Sequence, residues 1–260
     1  MPEIVEVESA RALIEARALG RTIETVFAPD AWYLKRGVTA AALDAALPGR
    51  TLLTARRRGK LMLVDTSDDG PVLGLHLGMS GRVLIDDEAA GDPLIYASDR
   101  EVPAWHRFGL GFADGGSLFL RDPRRLGGVE LDPDEDRLGV DAFELTQAQL
   151  TRMLTASRAP VKAVLMNQAR VAGLGNLLVD EALFRAGIDP ARPANLLDPT
   201  ERRRMHRAIG STLRHTTRRG GSHTGRLPRA VDEPCPKCGA SLLRRTVAGR
   251  TTFSCPRHQR

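Results

Sequence analysis

Cys235-Pro-Lys-Cys238 and Cys255-Pro-Arg-His258 stand sixteen residues apart at the end of the chain, and no other feature constrains the fold as much. The only cysteines are these three, all within the last 26 residues. An odd, clustered count argues against a disulfide framework and for a metal site. Two close pairs separated by a hairpin-length segment are what tetrahedral zinc requires, because each pair forms one knuckle. Between them, Ser241–Val247 and Arg250–Ser254 flank Ala248-Gly249 and read as a two-stranded hairpin. With Cys235, Cys238, Cys255 and His258 all bound, the site is closed and the zinc is structural. The alternative leaves His258 aside and completes three thiolates with an exogenous ligand. A module with so little core is expected to unfold without its metal.

Such a module accounts for a small part of 260 residues. The remainder is long enough for one large or two modest domains. Its 42% hydrophobic and 27% charged residues exclude disorder and collagen-like repeats. No apolar run approaches the roughly 20 residues of a membrane span. The acidic start (Glu3, Glu6, Glu8) lacks a secretion pattern, so the expected location is cytoplasmic. Residues 3–19 read as a helix, with Val7, Ala10, Ile14 and Ala18 at helical spacing and Gly20 at the stop.

From about 21 to 130 short β-like runs follow: Arg21–Phe27, Lys60–Asp65, Val72–His76, Gly81–Ile85, Gly109–Phe112 and Ser117–Arg121. Turn residues separate them, as in a sandwich or barrel. Residues 130–144 carry seven acids and one base and read as a connector, after which helices are expected at about 146–157, 160–168, 177–186 and 199–217. The formal charge is +6, and residues 201–230 hold nine arginines against one acid. Such clustering is either the footprint of a polyanion binder or a solvated helix face.

The start of the chain also carries chemistry. Removal of Met1 exposes Pro2, a secondary amine at the head of a helix and followed at once by Glu3. A neutral amine can attack an electrophilic carbon and form an iminium. The positive end of the helix dipole disfavours its protonated form, and the adjacent carboxylate can move protons. Taken alone, Pro-Glu is also simply a good way to begin a helix.

Further motifs run in order along the chain. They are Met1-Pro-Glu-Ile-Val-Glu-Val-Glu8, Arg57-Arg-Gly-Lys60, His76-Leu-Gly-Met-Ser-Gly81 and Asp122-Pro-Arg-Arg-Leu-Gly127. Asn167-Gln-Ala-Arg-Val-Ala-Gly-Leu-Gly-Asn176, Asp180-Glu-Ala-Leu-Phe184, Arg219-Gly-Gly-Ser222 and the zinc segment follow. With them the sequence resembles the formamidopyrimidine-DNA glycosylase / endonuclease VIII family of base-excision repair enzymes.

The resemblance implies an α+β fold with four parts. Residues 1–130 would form a β-sandwich catalytic domain carrying an N-terminal helix, and 131–145 an acidic linker. Residues 146–225 would form a helical domain with a helix–two-turn–helix element, and 226–260 a β-hairpin zinc finger. Damaged double-stranded DNA would lie between the domains of a monomer, away from any membrane. One structural zinc and no catalytic cofactor are implied.

By the same resemblance Pro2 is the nucleophile at C1′ and Glu3 its acid/base partner. Lys60 contacts phosphate and assists β-elimination. Arg250 grips the phosphates flanking the lesion and supports δ-elimination. Asn176, His76 and Arg158 fall at phosphate-contact positions, and Glu6 is a second acid near the site. Met79, Arg124 and Leu126 fill the vacated stack or touch the orphaned partner base. The activity implied is excision of oxidised or ring-opened bases through a Schiff base on Pro2, then nicking by β,δ-elimination.

Several positions depart from the family pattern. Leu126 stands where the formamidopyrimidine branch has phenylalanine, and His106 is out of register with that branch's histidine pair. Only twelve residues separate Ser222 from Cys235, too few for the loop with which the 8-oxoguanine-binding branch caps its flipped base. This places oxidised pyrimidines, ring-opened purines or hydantoins ahead of 8-oxoguanine. Two other classes remain as alternatives: a zinc-finger protein that binds distorted DNA without cutting, and a zinc-stabilised RNA-binding or ribosome-associated protein.

Overall fold

The computed structural model describes residues 2–91, 98, 100, 102–230 and 232–260, and Met1 lies outside them. The chain divides into two compact units, Met1–Glu135 and Asp136–Arg260.

The first unit begins with α1 (Ile4–Arg17) and holds a second short helix, α2 (Ala40–Ala46). Its strands are β1 (Ile23–Phe27), β2 (Leu52–Arg58), β3 (Leu61–Thr66), β4 (Leu73–His76), β5 (Arg82–Ile85), β6 (Glu88–Ala89), β7 (His106–Phe112), β8 (Ser117–Arg121) and β9 (Gly128–Leu131). They form two antiparallel sheets, ordered β1-β7-β8-β5-β6 and β2-β3-β4-β9. The sheets share one core, which includes Val64 and Leu75 of one and Leu110 and Leu120 of the other, all at most 1% exposed. The helical face read from the spacing of α1 enters the same core: Val7, Ala10, Ile14 and Ala18 are each at most 2% exposed. Burying a side chain such as Val7 or Ile14 stabilises the fold by about 1.5–3 kcal/mol.

The expected β runs fall on β1, β3, β4, β5, β7 and β8, with differences at their ends. Lys60 sits in the tight turn before β3, and β7 begins earlier, at His106. The strand β2 was not expected, because Arg56-Arg57-Arg58 breaks its apolar pattern. Here Arg56 pairs with Asp65 at 3.0 Å and Glu135 at 2.6 Å, so the arginine run is a paired edge of the sheet. The helix α2 was also missed; Thr39 caps it by accepting from Ala42 N–H at 3.1 Å. Glu130, read as the first acid of the connector, belongs to β9, where it is 7% exposed and faces Arg36 at 3.7 Å.

The second unit contains β10 (Val140–Asp141), α3 (Gln147–Thr155), α4 (Val161–Met166), β11 (Val171–Ala172), α5 (Asn176–Ala186), α6 (Pro199–Arg218), β12 (Leu243–Val247) and β13 (Arg250–Ser254). β10 and β11 pair in parallel and close the start of the unit. Asp198 caps α6 by accepting from Thr200 and Glu201 N–H at 2.6 and 2.8 Å, with Pro199 in the first turn. That helix buries Met205, Ile209 and Leu213, and leaves Arg203, Arg207, Arg214 and Arg218 exposed.

A charged knot joins α4, α5 and the terminal hairpin. The Lys162 ammonium is fully buried and donates to Asp180 Oδ1 at 2.6 Å and Thr252 Oγ1 at 2.7 Å. The other oxygen of Asp180, also fully buried, accepts from Arg229 at 2.7 Å. A buried charge is tolerable only while its partners stay in place. Lys162→Met is therefore expected to cost about 3 kcal/mol, because it leaves the buried Asp180 Oδ1 without its cation. Urea denaturation checks this; a change near zero would show that water or Arg229 alone satisfies the carboxylate.

Candidate active site and metal centre

Pro2 and Glu3 are buried at the head of α1. Glu3 is the N-cap residue and forms a capping box with Glu6, whose Oε2 accepts from the Glu3 N–H at 2.8 Å. The sequence pairs these acids because a helix start has unsatisfied N–H groups and a positive dipole end. Glu6 thereby fixes the backbone next to Pro2 and is half-buried in doing so.

Lys60 is half-buried on the two-residue turn joining β2 and β3, where Gly59 takes a φ of 60°. That left-handed angle at the first turn position suits a tight hairpin and favours glycine. The turn is tied to α1. Arg57 donates to Glu8 at 2.9 Å and to the Gly59 carbonyl at 3.0 Å. Arg11, also paired with Glu8, donates to the Ala55 carbonyl at 3.0 Å. Glu8 and Arg57 were visible only as letters of motifs; their function is to bolt the helix that starts at Pro2 to the hairpin that carries Lys60.

His76, Met79, Arg124 and Leu126 come together through a buried acid. Asp122, fully buried, accepts from Ser80 Oγ at 2.5 Å and from the N–H groups of Arg124, Leu126 and Gly127 at 3.1, 2.9 and 2.8 Å. It thus fixes the loop after β8 and ties it to the loop after β4, which carries the half-buried Met79. Gly78 makes the approach possible: a Cβ there would lie 2.3 Å from the Leu126 and Gly127 backbone. Arg124 and Leu126 project outward, Leu126 being 47% exposed. His76 is exposed, and its Nδ1 accepts from Gly78 N–H at 3.0 Å. In the neutral imidazole the proton then sits on Nε2, as a donor. His106, given no role from sequence, stacks on Phe119 at 4.5 Å.

Asp122→Ala should orphan several donors at once and cost about 3 kcal/mol. Loss of stability, together with protease cleavage near Arg124, would confirm the role of the carboxylate. A variant as stable as the parent would refute it.

In the second unit Asn176 is the first residue of α5, following a tight turn in which Gly173 takes a φ of 109°. Gln168 staples that turn, accepting from Gly173 N–H at 2.9 Å and donating to the Leu174 carbonyl at 2.8 Å. The Asn176 amide donates to the Thr251 carbonyl at 3.0 Å, which brings α5 to the strand headed by Arg250. Arg250 is exposed after the two-residue turn Ala248-Gly249, where φ is 51° and 70°. Arg158 is exposed between α3 and α4.

The four expected metal ligands also come together. The ligand atoms of Cys235, Cys238, Cys255 and His258 all lie within 4.8 Å of one another. Cys235 Sγ is 3.4 Å from His258 Nδ1, and Cys238 Sγ is 3.4 Å from Cys255 Sγ. Tetrahedral zinc with bonds of about 2.0–2.3 Å needs ligand atoms at roughly this spacing. Burial and the Lys237 ammonium hold the His258 imidazole below its ordinary pKa, in the neutral form that ligates. The cluster can hold a metal ion.

Two antiparallel sheets with a buried proline-acid start, a turn opening onto a helix and a four-ligand hairpin describe a recognisable class of protein. The family model described as "Formamidopyrimidine-DNA glycosylase N-terminal domain" matches residues 1–129. The "Formamidopyrimidine-DNA glycosylase H2TH domain" matches residues 138–226. A formamidopyrimidine-DNA glycosylase of Cereibacter sphaeroides is 36% identical over 295 residues, covering 100% of both chains. One of Brevibacillus brevis is 32% identical over 282 residues, covering 98% of each. Among solved structures, the Lactococcus lactis Fpg bound to DNA containing an abasic site superposes with a TM-score of 0.84 at 27% identity over 100% of both chains. The Thermus thermophilus MutM (Fpg) protein gives 0.82 at 31% identity, covering 99% of this chain and 98% of that one.

The chain belongs to the formamidopyrimidine-DNA glycosylase family. The alignments are longer than the 260 residues present, so these relatives carry stretches opposite gaps in this chain.

Proposed function

We propose that this protein excises oxidised or ring-opened bases from damaged duplex DNA and then cuts the strand, using Pro2 as nucleophile. As a member of its family it is a DNA glycosylase with abasic-site lyase activity, a base-excision repair enzyme. The observation that carries the assignment to residues is the head of α1. Pro2 and Glu3 are buried together at the positive end of a helix, and that helix is bolted through Glu8 and Arg57 to the turn bearing Lys60.

The chemistry follows from these groups. With Met1 removed, the Pro2 nitrogen attacks C1′ of the extruded nucleotide while the carboxyl of Glu3 protonates the ring oxygen. The base leaves with the glycosidic electron pair, and the sugar opens to an iminium on Pro2. The iminium acidifies the C2′ proton, whose removal expels the 3′ phosphate; a second elimination expels the 5′ phosphate. Water then hydrolyses the iminium and restores the amine. Extrusion costs a few kcal/mol. Lys60, His76, Arg158 and Arg250, with the amide of Asn176, offset that cost at the phosphates. Met79, Arg124 and Leu126 occupy the space the base vacates.

One zinc ion on Cys235, Cys238, Cys255 and His258 would hold the hairpin that presents Arg250. The segment after Ser222 supports a lesion choice other than 8-oxoguanine. It is pinned to α5, with Glu181 accepting from Arg226 and Leu227 N–H at 2.9 Å each and Asp180 holding Arg229. These ties leave little slack for a capping loop.

A panel of duplexes, each with a single lesion, tests this reading. Incubation with borohydride should trap the protein on abasic, formamidopyrimidine, hydantoin and oxidised-pyrimidine duplexes, with strand scission when borohydride is omitted. Binding to all of them without adduct or scission would overturn it.

A further inference from the structure

Trp32 is the most exposed large apolar side chain among the described residues, at 69%. Single exposed apolar residues are common and need no explanation. This one is held in place. It sits on a short 3₁₀ turn, Ala31–Tyr33, capped by Asp30, which accepts from Trp32 N–H at 3.2 Å. The same carboxylate holds the guanidinium of Arg125 through two bonds of 2.6 Å. Arg125 takes a left-handed φ of 57° between Arg124 and Leu126. The Lys35 ammonium donates to the Trp32 carbonyl at 2.6 Å and stands 5.3 Å from its ring centroid. The Lys35 stem passes over Gly128, where a Cβ would meet it at 2.6 Å. Trp32 and the Arg124–Leu126 loop are thus tied to one carboxylate, Asp30, which Arg125 neutralises, and the Lys35 ammonium stands beside the indole.

An aromatic face beside a fixed cation matches a nucleic-acid strand: the ring stacks on a base or sugar and the cation takes the phosphate. We propose that Trp32, supported by Lys35, is a contact for the DNA strand opposite the excised nucleotide, flanking the partner base at Arg124. The inference rests on the repair reading above, and on the tie through Asp30 and Arg125 to the loop that carries the outward-facing Leu126.

The chain has only two tryptophans, so Trp105→Phe leaves Trp32 as the sole tryptophan, which can be excited selectively over the two tyrosines. Fluorescence anisotropy of a labelled duplex carrying a stable abasic analogue reports binding. On saturation, the Trp32 emission should shift to the blue and its quenching by acrylamide should fall severalfold. Trp32→Ala should weaken duplex affinity about tenfold. 5-Iodouracil beside the partner base should cross-link to the parent protein and not to Trp32→Ala. A bound duplex with unchanged acrylamide quenching would overturn the inference and leave the repair reading standing. So would cross-linking from the damaged strand alone, or protection that follows protein concentration without DNA. Failure to bind any damaged duplex would remove the repair reading and this inference with it.

Discussion

A lysine inserted between Met1 and Pro2, which blocks removal of Met1, is expected to abolish borohydride trapping while leaving affinity for an abasic duplex within a few-fold of the parent. An amide nitrogen has no available lone pair, so no iminium can form. The loss should be on the order of 10⁴-fold or more, as when other enzymes lose their nucleophile. Binding should persist, because cations on phosphates supply most of it. Glu3→Gln separates the acid from the amine. It keeps a side chain of the same shape at the N-cap but removes the titrating oxygen, and should slow base release by about 10²–10⁴-fold. Anisotropy, single-turnover excision and trapping on the same duplex measure the three effects. Equal loss of binding and trapping would mean that the start of α1 is structural only.

Loss of the proposed zinc ion carries the second large expected effect. Cys255→Ser, or chelation of the parent protein, should melt β12 and β13, because the hairpin has little core of its own; Phe184, Leu227, Leu242 and Phe253 make up most of it. Structural zinc contributes about 10 kcal/mol or more to folding of such modules. The damage should spread. With Thr252 displaced, Lys162 loses one partner, and with Thr251 displaced, Asn176 loses its anchor. Duplex affinity should fall by well over tenfold and its salt dependence should weaken, since the phosphate contacts proposed for Arg250 and Asn176 would be lost together. The helices α5 and α6 should survive, so the far-UV circular dichroism falls little. Unchanged affinity after confirmed metal loss would contradict the role given to the hairpin.

Where local spacing carried the information, the sequence was readable. In α1, Val7, Ala10, Ile14 and Ala18 announce both the helix and its buried face. The paired cysteines announce a hairpin whose ligand atoms do converge. The strand β2 was hidden because Arg56 is paired by Asp65 and Glu135 and Arg57 by Glu8, and no periodicity encodes that. Nothing in the sequence singles out Lys162 in its short apolar helix; its burial depends on Asp180, Arg229 and Thr252, the last of them 90 residues away. Asp122 was legible as a motif letter, but its role in joining the loops of Met79 and Leu126 exists only once Ser80, 42 residues earlier, folds against it. Residues whose function is to place other residues are written in tertiary contacts, which a single sequence does not display.

The most direct measurement is mass spectrometry of the adduct trapped by borohydride on an abasic duplex. After proteolysis and nuclease digestion, the deoxyribose remnant should sit on the peptide beginning at Pro2, with Met1 absent. Finding the remnant on Lys60 or any other side chain, or finding a free Pro2 that forms no adduct, would contradict the account.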